Sequence, residues 1–122
     1  MILAESNEER QKFLDQLQVF QHDDILELFK VMDGLPVTIR LLDPPLHEFL
    51  PQTEEDRAAL GQRIGKPASQ IREIAERLEE VNPMLGFRGC RLSVVYPEIT
   101  EMQVQAIISA AADAIEQGYK AL

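Results

Sequence analysis

Two arginines carry the most chemistry in this 122-residue chain. Arg40 ends the run Val37-Thr38-Ile39-Arg40, and after two leucines Asp43-Pro44-Pro45 follows. β-branched residues favour extended backbone. Two successive prolines cannot donate to a sheet ladder, so a strand must stop there. The pattern predicts a strand over about residues 36–42 with a guanidinium at its carboxyl end, where α/β enzymes hold ligands. A guanidinium is a planar fork of donors that matches phosphate or carboxylate oxygens two at a time. Arg88 sits in Leu85-Gly86-Phe87-Arg88-Gly89, where glycines let the backbone approach a ligand closely. On the residues alone each has a plainer reading. Arg40 can be a strand residue in a surface ion pair, and Arg88 a loop residue that caps a helix end.

Other reactive side chains are weaker candidates. Asp43 and Arg91 are secondary binding candidates, with Glu98 or Asp43 as an ion-pair partner for Arg91. Asp43 and His47 can both exchange protons, yet a turn cap and a loop-packing histidine are the better readings. Cys90, between Gly89 and Arg91, reads as a small buried residue. No glycine-rich nucleotide loop is present. The carboxylates fall at solvated helical spacing, so no bound metal is expected within the chain itself.

The elements that must position these groups are mostly helical. Ser6-Asn7-Glu8-Glu9 is a capping box. Apolar residues then recur at helical spacing from Phe13, Leu14, Leu17 and Phe20 to Ile25, Leu26, Leu28, Phe29 and Met32. This predicts one long helix, with His22-Asp23-Asp24 as a bend or second cap and Gly34 as the stop. Thr53 opens a short helix ending near Gly65, and Pro67 is placed to begin the next one. Ile71, Ile74, Ala75 and Leu78 form its inward stripe, Glu73 and Arg77 pair on its outer side, and Asn82-Pro83 ends it. The stretch 83–96 is ambiguous between strand and loop. Pro97 starts a last helix that runs to Gly118, with Ile99, Met102, Ala106, Ile107, Ala110, Ala114 and Ile115 on adjoining faces.

Composition excludes several classes. A net charge of -9 repels a phosphate backbone and argues against nucleic-acid binding. One cysteine permits no internal disulfide. No apolar run approaches the roughly 20 residues that span a membrane, and the acidic amino terminus lacks a signal core. The expected compartment is the cytoplasm.

The stretch GLPVTIRLLDPPLHEFLP from Gly34 to Pro51 resembles the carboxy-terminal phosphoenolpyruvate/pyruvate-binding domain of the pyruvate, phosphate dikinase family. NPMLGFRGCRL from Asn82 to Leu92 and YPEITEMQ from Tyr96 to Gln103 resemble the same region, in order. Phosphoenolpyruvate synthase and enzyme I of the phosphotransferase system are similar at the arginine strand and the N-P-x-L-G-x-R element, but not at the double proline. The resemblance implies that residues 1–122 are a single partial domain. Its fold would be α/β, a predominantly helical segment of a (β/α)₈ barrel with one strand. It implies that Arg40 and Arg88 bind the phosphoryl group of phosphoenolpyruvate during reversible transfer to a phosphohistidine. The magnesium, the phosphohistidine domain and the ATP-grasp domain of such an enzyme would lie outside this chain, and the piece alone would be inactive. The alternative is a helical interaction module without catalysis. An open-edged strand and broad apolar helix faces further predict a homo-oligomer.

Overall fold

The computed structural model describes residues 3–4, 6–43, 45–79 and 85–122, the side chain of His47 excepted. Helix α1 (Asn7–Val31) starts where the capping box places it, with the Ser6 hydroxyl accepting the Glu9 amide proton at 3.1 Å. It continues unbroken through His22. A 3₁₀ turn (Leu46–Phe49) follows the proline pair, then α2 (Glu54–Ile64), α3 (Ala68–Leu78), the six-residue α4 (Cys90–Val95) and α5 (Pro97–Glu116). Thr53 caps α2 by accepting the Asp56 amide proton, and Gly65 ends it in the left-handed region at φ 71°. Glycine adopts that conformation without a Cβ penalty. Pro67 occupies the cap position of α3 rather than its first turn, whereas Pro97 is the first residue of α5. α3 ends at Leu78 with an extended Glu79 as its cap, earlier than the Asn82-Pro83 stop read from the sequence; that pair itself lies outside the described residues.

The chain divides into two compact units: Leu3–Leu42 with Ser93–Leu122, and Asp43–Leu92. In the first, α1 and α5 run in the same direction. Arg10 meets Glu98 near their starts at 2.7 Å, His22 meets Asp113 further on, and Phe29 clusters with Ala110 and Ala114 near their ends. The α5 stripe of Ile99, Met102, Ala106, Ala110 and Ala114 is buried. Three alanines one helical turn apart let the α1 backbone come close, and Leu14 and Phe29 fill the seam. Ile115, assigned to this face from its spacing, is exposed, as are Phe20 and Val31 on α1. In the second unit the buried residues include Leu46, Leu50, Gly61, Ile71 and Leu92. Ile74, Ala75 and Leu78 are only half buried. The outer ion pairs of α3 involve Arg72, with Glu76 and Glu54, instead of Glu73 and Arg77.

The expected barrel segment with a strand at 36–42 is overturned. Among the described residues there are helices and connecting turns, with no strand and no sheet. The reason is the partner, not the propensity. The Gly34 amide donates to the Lys120 carbonyl and the Val37 amide to the Leu122 carbonyl, but Pro36 has no N–H to give. The backbone groups of Thr38 to Leu41 meet no other backbone group among the described residues. β-branched residues fit a pleated surface once a ladder exists, but they do not create one. The alternation itself survives: Val37 and Ile39 pack against the Phe29 cluster while Thr38 and Arg40 face out.

His22, read as part of a bend or second N-cap, instead ties the two helices together. Its Nδ1 lies 3.1 Å from Asp23 and its Nε2 3.0 Å from Asp113. The hydrogen bond to Asp23, with that to Asp113, raises its pKa above the usual 6.5 despite some desolvation. A raised folded pKa means the imidazolium stabilises the fold below the unfolded value and the contribution is lost as pH climbs through the folded one. The melting temperature should therefore fall as pH rises from about 6 to about 8, the span in which histidine titrates. Asp113→Asn should lessen that slope in parallel thermal melts, and Asp23→Asn should lessen it more, because the Asp23 hydrogen bond is the larger cause.

Candidate anion-binding site

Arg40 hangs between two anchors. Upstream, the Val37 amide is fixed by the Leu122 carbonyl at 2.9 Å. Downstream, Leu42 is gripped by the carboxamide of Gln103 on α5: its N–H donates to Oε1 at 2.7 Å, and its carbonyl accepts from Nε2 at 3.2 Å. The Arg40 side chain is exposed and has no ion-pair or hydrogen-bond partner among the described residues. The surface ion pair of the plainer reading is thus absent there. Arg40 borders a groove of about 190 Å³, shared with Gln21, Asp24, Ile25, Gln103 and Ile107. An exposed guanidinium outside any ion pair can take an oxyanion by a two-point contact. A broader hollow of about 520 Å³ runs along Thr100, Val104, Ile108 and Ala112. It holds no cation, and its one charged group is Glu101, so it offers a phosphoryl group nothing.

Arg88 and Asp43 belong to the other unit. They meet fork to fork, Nε to Oδ2 at 3.2 Å and Nη2 to Oδ1 at 3.3 Å, both partly buried. Such pairing fixes the guanidinium plane. Asp43 is therefore the carboxylate that orients Arg88. Arg91 pairs with neither expected carboxylate. It donates to the carbonyls of Leu85 at 3.0 Å and Gly86 at 2.8 Å, pinning the loop that carries Arg88. Glu98 is taken by Arg10, whose guanidinium also lies 4.6 Å from the Tyr96 ring centre. Cys90 is exposed, contrary to the buried reading. The His47 side chain lies outside the described residues.

Among the described residues, no group of three or more His, Cys, Asp or Glu side chains could hold a metal ion. No helix among the described residues is long and apolar enough to cross a membrane.

The residue that sequence reasoning missed is Gln103, the one buried polar side chain among the described residues. A faint signal existed. Gln103 falls in the same helical register as Ile99, Ala106 and Ala110, and a polar residue in an apolar stripe must find partners when buried.

Residues 2–118 match the family described as PEP-utilising enzyme, PEP-binding domain. The chain is 52% identical over 122 residues to a chloroplastic pyruvate, phosphate dikinase of Mesembryanthemum crystallinum, covering 98% of this chain and 13% of that protein. It is 53% identical over 114 residues to pyruvate, phosphate dikinase of Rhizobium meliloti (strain 1021), covering 93% of this chain and 13% of the relative. Against that of Giardia intestinalis the identity is 52% over 118 residues, 97% of this chain and 13% of the relative. The chain thus spans about 13% of the length of these curated relatives. With nearly its full length matched, the chain belongs to the PEP-utilising enzyme family, in its PEP-binding domain.

Proposed function

We propose that this chain supplies the phosphoryl-binding arginines of a pyruvate, phosphate dikinase-like phosphotransferase, with phosphoenolpyruvate and pyruvate as ligands. The observation that carries the reading is Arg40: a guanidinium on an anchored segment, beside a groove that it shares with Asp24, and in no ion pair among the described residues. The half-identity to pyruvate, phosphate dikinases supports it. As a phosphoryl group leaves the enol oxygen, charge spreads over its three outer oxygens, and catalysis rests on holding that charge in place. Arg40 supplies one contact of that kind. Arg88, oriented by Asp43 in the other unit, is the further phosphoryl-binding arginine of the proposal, and Arg91 keeps its loop in shape. The acceptor in this proposal is a histidine on a phosphohistidine domain, charged in turn by an ATP-grasp domain.

The test is selectivity. Phosphoenolpyruvate titrated into the chain should move the Arg40 Nε–H resonance with a millimolar dissociation constant, since exposed charge contacts are individually weak. Pyruvate, which lacks the phosphoryl group, should move it far less. Equal responses to both would remove the reading.

Self-association forms part of the same proposal. Val19, Phe20 and Val31 on α1, Val94 on α4, and Ile108 and Ile115 on α5 are all more than half exposed. That much outward apolar surface favours an oligomer. Light scattering over a concentration series should show a mass that grows with concentration. A monomer mass that persists at the highest concentration would refute it.

A further inference from the structure

Gln103 is too well placed to be filler. It is 5% exposed, on a stripe otherwise built of Ile99, Met102, Ala106 and Ala110, so each of its polar atoms would be costly if left unpaired. Both atoms are spent on one residue, Leu42, whose N–H and carbonyl it engages together. The N–H and carbonyl of one residue point to the same side of an extended chain, which is how a neighbouring strand engages it. The carboxamide therefore does at one point what a sheet ladder would do along a line. It does so two residues past Arg40, where no other backbone group engages Thr38 to Leu41 among the described residues.

We propose that Gln103 is a positioning residue for Arg40, a side-chain surrogate for a strand partner that fixes the backbone from which the guanidinium reaches the phosphoryl group. This rests on the reading of Arg40 as a phosphoryl contact. Without the Gln103 clasp, the nearest upstream backbone tether is Val37, and the guanidinium samples positions in which its fork faces no ligand. A ligand that needs the ligand-facing position then binds more weakly, in proportion to the fraction of time that position is occupied.

Gln103→Met separates clasp from packing, because methionine has similar length and volume but offers neither strong donor nor strong acceptor. Backbone ¹⁵N relaxation gives the first readout. Order parameters at Ile39 to Leu42 should fall from the rigid range near about 0.85 to below about 0.6, while α1 and the rest of α5 are unchanged. The second readout is phosphoenolpyruvate affinity, followed at Arg40 Nε–H. It should weaken roughly tenfold, the factor expected when the binding-competent conformer drops to about a tenth of its population. The shift at saturation should remain, because Arg40 itself is intact. Gln103→Glu keeps an oxygen facing the Leu42 N–H and should restore part of the order, and it serves as the probe if the methionine variant does not fold.

Two results overturn the proposal. One is a 39–42 segment as rigid in Gln103→Met as in the parent chain. The other is a loosened segment with unchanged affinity, which would leave Gln103 as a packing residue only. Arg40→Ala, run alongside, separates the two readings. If it binds phosphoenolpyruvate as well as the parent, the phosphoryl reading fails, and the Gln103 proposal is decided by the order parameters alone.

Discussion

Gly61→Ala should destabilise the Asp43–Leu92 unit, although the same change in most helices is stabilising. Glycine inside a helix is ordinarily about 0.5–1 kcal/mol worse than alanine, and Gly61 lies within α2. Here the missing Cβ makes room for the chain itself. After α2 ends at Gly65, the backbone doubles back, and the Lys66 amide donates to the Gly61 carbonyl at 3.0 Å. A Cβ on Gly61 would overlap the Lys66 carbonyl oxygen, with Ala68 N and Ile71 Cδ1 each 3.6 Å away. A backbone oxygen held by a tight turn cannot rotate aside as a side chain can, so the α2–α3 turn must open. Overpacking of this kind costs about 1–3 kcal/mol, which outweighs the propensity gain. Hydrogen exchange at α3 amides would rise in the variant while that of α1 and α5 stays put. A variant that protects α3 as well as the parent chain would show that the turn absorbs the methyl.

Arg40→Glu should abolish measurable binding of phosphoenolpyruvate. Two unit charges about 4 Å apart in water interact by about 1 kcal/mol. Reversing the charge that faces a phosphoryl dianion removes an attraction and adds a repulsion of that order per unit of charge. Physiological salt, with a screening length of about 8 Å, weakens this without erasing it at contact distance. The net effect is roughly a 30-fold loss, at about 1.4 kcal/mol per factor of ten, which carries millimolar binding beyond detection. Arg40→Lys should fall between, because an ammonium keeps the charge but loses the two-point fork. Titrations of the three proteins at one salt concentration give the comparison. Equal affinities would mean that Arg40 is a bystander.

What the sequence made legible was local. The boundaries set by Ser6, Thr53, Gly65 and Pro97 came from capping and from the fixed geometry of proline, which act over three or four residues. The two arginines were visible because their residue types and their setting are unusual. The strand was misjudged because strand propensity is realised only against a partner, and that partner is not encoded in Val37-Thr38-Ile39. The clasp on Leu42 joins residues 61 positions apart, and the His22–Asp113 contact spans 91. Pairings at such separations leave no periodic trace. Asp43 shows the same limit: its grip on Arg88 depends on a loop 45 residues away.

The central claim is that Arg40 takes the phosphoryl group of phosphoenolpyruvate. A structure of the chain solved with that ligand tests it most directly. The prediction is a phosphoryl oxygen within hydrogen-bonding distance of the Arg40 guanidinium, about 2.7–3.2 Å, with the Gln103 clasp on Leu42 intact. A phosphoryl group bound elsewhere, with the Arg40 side chain still in solvent, would contradict it.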